Sequence, residues 1–154
     1  MSKTITFTPI SEVLTNDEIK TIKSKGYKPK SHQCHHNSYF CGLDVSHYLG
    51  YEVNVCQGYL RGFIPHSWNA IVKNGVRYYV DFTSEWANKQ DVVGRECELV
   101  LEAPNKTIGD IFAKEQNSFI LFDGYYDNGN HIWYDENLNR HCEPIKTVRL
   151  SDLK

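Results

Sequence analysis

Three residue types that together make an activated nucleophile occur in order along this chain: Cys34, His66 and Asp81. A thiol becomes a strong nucleophile when an imidazole takes its proton. A carboxylate on the far side of that ring fixes the tautomer and stabilises the imidazolium. The chemistry therefore depends on whether the three can meet. For the histidine and the aspartate, turn chemistry brings them together. Both lie in Pro65 to Thr83, PHSWNAIVKNGVRYYVDFT, where two apolar-rich runs flank Asn74-Gly75. Asn-Gly is the strongest short hairpin signal, because a type I′ turn needs positive φ at both central positions. A two-residue turn pairs residues whose numbers sum to 149, so Lys73 faces Val76, Trp68 faces Asp81 and His66 faces Thr83. Alternation then puts His66, Trp68, Asp81 and Thr83 on one face. His66 and Asp81 become diagonal neighbours, about 7–8 Å apart at the backbone, a gap that long side chains bridge.

The thiol is positioned by a helix. Cys34 to Leu49 reads as helical, with Phe40, Leu43 and His47 on one stripe and Cys41, Val45 and Tyr48 on the next, apolar over a wide arc as a buried helix should be. Gly50 suits the residue that ends it. Cys34 opens this helix, and both a helix N-terminus and a nearby imidazolium favour the thiolate. The order Cys34, His66, Asp81 is thus a complete candidate triad.

A Cys opening a helix, then His66-Ser67-Trp68 on one strand and Asp81-Phe82-Thr83 on the next, resembles the transglutaminase-like branch of the papain-like fold. Gln57-Gly58-Tyr59-Leu60 is similar to the strand that precedes the histidine in that group. The resemblance covers roughly residues 30–85, the expected catalytic core. It implies a Cys-His-Asp triad acting on an amide or acyl group, in the manner of small bacterial or phage-encoded members rather than the large protein-crosslinking enzymes. Cys34 is not followed by the Trp common in crosslinking enzymes, and the Arg-Gly-Gly-x-Cys segment of arylamine acetyltransferases is absent. The substrate class therefore does not carry over. Gln33, as in papain-like enzymes, is a candidate oxyanion donor beside the Cys34 backbone N–H; the alternative is a solvent-exposed loop amide. Asn37 reads as a supporting, hydrogen-bonding helix residue. Trp68 is expected to shield the His66–Asp81 bond, to pack in the core, or both, and Tyr59 to line the cleft.

Composition bounds the function. A chain of 154 residues suits one domain spanning 1–154, and buries about 68–70% of its unfolded surface without staples. A net charge of −2 provides no electrostatic footprint for nucleic acid or an anionic membrane. No apolar run approaches the roughly 20 residues of a membrane span, and the N-terminus MSKTITFTPI has neither an apolar h-region nor a cleavage site. The five cysteines, Cys34, Cys41, Cys56, Cys97 and Cys142, are odd in number and irregularly spaced, which suits a reducing, cytoplasmic setting. Ten Tyr raise the aromatic content and are expected to pack on strands.

The remaining elements follow from pattern. Thr4 to Pro9 is expected as a short strand or ordered arm, and Ser11 to Lys25 as a helix capped at Ser11 or Asn16 and ended by Gly26. Tyr51 to Leu60 alternates as a strand, and the hairpin, apolar on both faces, is expected to be central in its sheet with the Cys34 helix as one cover. Beyond it come a loop or short helical turn over Thr83 to Gly94, a strand or edge over Glu96 to Leu101, and a helix over Thr107 to Gln116. Strands are expected over Phe119 to Phe122, His131 to Tyr134 and Pro144 to Leu150. The expected fold is α+β, helices packed on a mostly antiparallel sheet.

Two other function classes also fit parts of the sequence. Cys34, His35, His36, Cys56 and His66 carry zinc-ligand chemistry, but adjacent His35 and His36 diverge on a helix and the spacing matches no ligand pattern. His131, His141 and Cys142 are isolated from the rest. A non-enzymatic binding protein that keeps the fold is the third class. The expected activity is a thiol hydrolase (peptidase or amidase) or acyltransferase on a peptide, protein or small-molecule acyl substrate. It invokes no metal and no cofactor.

Overall fold

A computed structural model describes residues 3–145 of the chain. The Asn74-Gly75 turn forms as expected, with φ of 53° and 77°. It joins β3 (Ile64–Lys73) to β4 (Val76–Val80) in the predicted register, Lys73 opposite Val76 and Asn69 opposite Val80. The ladder stops there. The expected Trp68–Asp81 and His66–Thr83 pairings do not form, because the chain leaves the sheet at Asp81 and winds into a π-helical turn at Thr83–Ala87. Its start is set by Asp81, whose Oδ1 accepts from the Ser84 N–H at 3.1 Å, the i+3 contact an aspartate makes at the head of a helical turn.

The hairpin forms one side of a five-stranded antiparallel sheet. With β1 (Lys3–Thr6), β2 (Glu52–Leu60) and β5 (Glu96–Pro104), the order is β1-β5-β2-β3-β4. β2 is therefore the central strand, and β4, expected to be interior, is an edge. β5 runs to Pro104 and is interior. A second sheet holds β6 (Tyr125–Asp127), β7 (Asn130–Tyr134) and β8 (Arg140–Pro144). Apart from Pro144, the strand expected over Pro144 to Leu150 falls almost entirely outside the described residues. Phe119 to Phe122 is not a strand. Gln57, fully buried on β2, replaces the ladder partner there: its Nε2 donates to Phe119 O at 3.1 Å and its Oε1 accepts from Leu121 N at 2.7 Å.

The N-terminal helical region divides in two, α1 (Ile10–Val13) and α2 (Asn16–Lys25). The cap of α2 is Thr15 rather than Ser11 or Asn16. Its hydroxyl accepts from Glu18 N while the Glu18 carboxylate accepts from Thr15 N, a reciprocal capping box. α3 (Cys34–Asp44) continues through a π-helical turn at Val45–Leu49 and ends at Gly50, φ 74°. α4 (Asn105–Glu115) follows β5.

α3 packs on β3 through Cys41 and Val45 of one expected stripe, and not through the other. Phe40, Leu43, His47 and Tyr48 face solvent, while Asn37, Ser38, Cys41, Gly42 and Val45 are buried. The reason is close approach. A Cβ on Gly42 would lie 2.6 Å from Asn105 and 2.8 Å from Asn69, so only the smallest residue fits between helix and sheet. The buried polar groups are paired across the contact: Ser38 Oγ with Ser67 Oγ at 2.7 Å, Asn69 Nδ2 to Ser38 O at 2.8 Å, and Asn105 Nδ2 to Tyr39 O at 2.8 Å. One apolar cluster, with Cys41, Val45, Val53, Ile71 and Phe82, lies under α3. Another, with Phe7, Cys56, Trp68 and Ala70, fills the opposite face of β3.

Candidate active site

His66 and Asp81 meet. His66 Nε2 donates to Asp81 Oδ2 at 2.6 Å, with the His66 side chain 10% exposed and that of Asp81 wholly buried. Asp81 is held from two sides. Ser84 Oγ donates to Oδ2 at 2.7 Å and Ser84 N to Oδ1 at 3.1 Å, so the carboxylate orients the ring from a fixed position. Ser84 Oγ in turn accepts from Arg95 Nη1 at 2.8 Å. With Nε2 committed to Asp81, Nδ1 is the ring nitrogen left for the thiol.

Cys34 is the first residue of α3 and half-buried. Burial alone would raise its pKa. The nearby His35 and His66 side chains, the charge on His66 and the Ser67 N–H outweigh that and bring it down to about 6. On the partner ring, burial disfavours charge, but the Asp81 carboxylate and the Cys34 sulfur raise the His66 pKa well above its ordinary value. Burial likewise works against the Asp81 charge, and His66 and Ser84 reverse it, so its pKa is lowered. The Cys34 and His66 shifts both favour a thiolate beside an imidazolium. The remaining buried thiols move the other way: burial raises Cys41 and Cys56, and pushes Cys97 up to about 12.

The early departure of β4 explains why Ser67 contributes. Beyond Asn69 no strand among the described residues covers that edge of β3, which leaves the Ser67 N–H free to favour the Cys34 thiolate. β2 supports the same point from the other side. Gly58 is opposite His66, and a Cβ there would lie 1.8 Å from Glu98 O and 3.0 Å from the Trp68 ring. The β2–β5 register shifts at this glycine.

The supporting residues divide. Trp68 is 1% exposed and stacks on His66, ring centroids 6.0 Å apart, with Phe7 edge-on to its ring at 5.6 Å. It both shields the ion pair and packs the core. Asn37 is fully buried and its amide is spent: Nδ2 donates to Lys30 O at 2.7 Å and Thr83 Oγ1 at 2.9 Å, and Oδ1 accepts from Lys30 N. It ties the approach to α3 onto the Thr83 turn and leaves no N–H for an oxyanion. Gln33 is the residue that precedes α3, and its side chain makes no capping bond. Tyr59 does not line the site. It pairs with Pro65, on the face opposite His66, and packs against Phe122 at 5.0 Å.

A hollow of about 400 Å³ opens onto Cys34 and His66 and is walled by Leu60, Ile64, Thr83 and Ser84 with His32, Arg61 and Arg95 at its sides. Ser84, Arg95 and Arg61 were not anticipated. Asp81-x-x-Ser84 carries the capping spacing that could have signalled the first. The arginines carry no local signal, since they reach the site through the β2–β3 turn and the start of β5. Among the described residues, no group of three or more His, Cys, Asp or Glu is placed to hold a metal ion. No helix among the described residues is long and apolar enough to cross a membrane.

No family model matches this chain, and no curated protein or solved structure matches it either.

Proposed function

We propose that the protein is a thiol hydrolase or acyltransferase with a papain-like, transglutaminase-like core, acting on an amide or acyl group. The observation that carries this reading is the Cys34 thiol, brought down to about 6 beside His66, whose other ring nitrogen lies 2.6 Å from Asp81. A structural cysteine has no need of a low pKa, and a buried imidazolium is costly unless its charge is used or paired.

In this reading the Cys34 thiolate attacks the substrate carbonyl carbon, forming a C–S bond. His66 gives its proton to the leaving amine as the C–N bond breaks, and a thioester remains on Cys34. Water or a second amine then attacks the thioester while His66 takes its proton, and the thiolate departs. Asp81 keeps the ring oriented in both half-reactions and offsets the imidazolium charge. The unpaired N–H groups at the start of α3, that of Cys34 first, are the donors for the tetrahedral oxyanion. Gln33, with no capping bond to hold it, is a second candidate donor. The substrate is a peptide, protein or small acyl compound; water as acceptor makes the enzyme a hydrolase, an amine makes it a transferase.

The test is a library of acyl-vinyl and fluoromethylketone probes incubated with the folded protein, followed by mass spectrometry. The expected result is one adduct on Cys34, absent in His66→Ala. Labelling at Cys142 alone, or labelling that does not depend on His66, would overturn the reading.

A further inference from the structure

Resting on that reading, we propose that the acyl substrate carries a carboxylate within a few bonds of the reacting carbonyl, received by Arg61 and Arg95. The chain as a whole is slightly acidic, with 17 Lys and Arg against 19 Asp and Glu. The hollow at Cys34 departs from that balance: among the described residues, His32, Arg61 and Arg95 line it and no Asp or Glu does. The arginines divide in the same way. Of the four among the described residues, Arg77 lies 3.3 Å from Glu102 and Arg140 lies 2.7 Å from Glu115, both away from the hollow. Arg61 and Arg95, the two that line it, have no carboxylate partner among the described residues.

Arg95 is held in place by neutral oxygens, Nη1 on Ser84 Oγ at 2.8 Å and Nη2 on Gln90 Oε1 at 3.5 Å. That leaves part of its planar fork, and its whole charge, unmatched. Arg61 is exposed in the turn from β2 to β3, with φ of 56°, a left-handed conformation that a non-glycine residue adopts at a cost. A guanidinium matches a carboxylate with two parallel N–H···O bonds, which a neutral amide cannot reproduce. The charges inside the site leave room for such a group. His66 and Asp81 cancel, so two arginines face one thiolate. Once the thiolate becomes a neutral thioester, both are uncompensated. A substrate carboxylate supplies the missing negative charge and fixes the orientation of the acyl group against Cys34.

The experiment compares iodoacetate with iodoacetamide, which differ in charge and are otherwise close in size. In each, the thiolate displaces iodide and a C–S bond replaces the C–I bond. Rates at Cys34 and at the exposed Cys142 are read in the same folded protein by peptide mass spectrometry. The iodoacetate-to-iodoacetamide ratio at Cys34 should exceed that at Cys142 by roughly tenfold, the low end of electrostatic enhancement in charged clefts. His66 also attracts an anion, so Arg61 variants isolate the arginine: Arg61→Ala should lower the ratio and Arg61→Glu should lower it further, the iodoacetamide rate of each variant correcting for any change in thiolate content. Equal ratios at the two cysteines, or a ratio indifferent to both Arg61 variants, would overturn the inference and leave the thiol reading standing. A Cys34 no faster than Cys142 with either reagent would overturn both. Paired peptide substrates, with the carboxylate as a chain terminus or as a Glu side chain and amide-blocked controls, then identify its source. Blocked controls turned over as fast as both would also contradict the inference.

Discussion

Among the described residues two His–Asp pairs form, each beside a tryptophan. His66 lies 2.6 Å from Asp81 and stacks on Trp68; His141 lies 2.9 Å from Asp135 and stacks on Trp133 with ring centroids 4.0 Å apart. By composition they are the same unit. Their surroundings differ. The first is 10% and 0% exposed, the second 36% and 29%. Asp81 is gripped by a serine side chain and backbone, whereas Asp135 caps its own turn at Asn137 and Asn139. The deciding difference is the third partner. The free nitrogen of His66 meets a thiol at a helix terminus. The nearest thiol in sequence to His141 is Cys142, one residue along β8, where successive side chains point to opposite faces. A His–Asp pair is therefore not a site by itself. Burial makes the charge expensive and thus informative, and a nucleophile on the far side of the ring gives it a use.

The sharpest way to break this comparison is to mutate both regions alike. Cys34→Ala should remove turnover, by more than about 10³-fold, while thermal unfolding shifts little, because a half-buried thiol contributes modest packing. Cys142→Ala should leave turnover intact. If both variants remain active on a substrate the wild type processes, the contrast has no functional content.

Next in size is the carboxylate. Asp81→Asn should cost about 10⁴ in kcat, as the amide stabilises the wrong tautomer in a serine triad. Asp135→Asn should not change kcat. Equal sensitivity of the two would show that the site does not depend on the buried pair.

Gly58→Ala tests the architecture beneath the site. A methyl group 1.8 Å from Glu98 O must force β2 and β5 apart beside His66. The expected loss is about 3 kcal/mol of stability, measured by denaturant unfolding, with a parallel loss of Cys34 reactivity. A variant of wild-type stability would mean that this strand pairing is looser than described.

The smallest effect concerns a carboxylate with a purely structural task. Glu115 accepts from Tyr125, Tyr134 and Arg140, tying α4 to the second sheet. Burial would raise its pKa, but those donors bring it down to about 2. Its stabilising effect is present above the ordinary carboxylate pKa and is lost as pH falls from there through about 2. Glu115→Gln should cost about 1–3 kcal/mol at pH 7 and progressively less toward pH 2, read as the gap between the two melting curves. A gap independent of pH would show that the carboxylate charge is not what holds these elements.

Much of the site was legible because it rests on local rules. Asn74-Gly75 sets the hairpin register as far as Asn69 opposite Val80, and Gly50 ends the helix that Cys34 begins; His66 and Asp81 meet just beyond the ladder, where Ser84 rather than strand pairing holds the carboxylate. The α+β class followed from the same signals. What was not legible depends on contacts distant in sequence. Of the two apolar stripes read on α3, Cys41 and Val45 are buried while Phe40, Leu43, His47 and Tyr48 face solvent, and the rest of the buried face is small and polar because Asn69, Ser67 and Asn105 satisfy it. Periodicity cannot reveal a partner's hydrogen bonds. Phe119 to Phe122 has strand-like composition, but a single glutamine on β2 takes the place of the ladder. Arg61 and Arg95 reach the hollow from the β2–β3 turn and the start of β5, so no spacing relates them to Cys34.

The proposed chemistry rests on a thiolate–imidazolium pair at Cys34 and His66, which the pH dependence of Cys34 alkylation by iodoacetamide reads out. Because the Cys34 pKa is lowered, reactivity should rise through half-maximum near pH 6 and hold a plateau above it while His66 remains protonated. His66→Ala should move that midpoint upward, toward the roughly 8.5 of an ordinary thiol. A wild-type midpoint already near 8.5, unchanged by His66→Ala, would contradict the account.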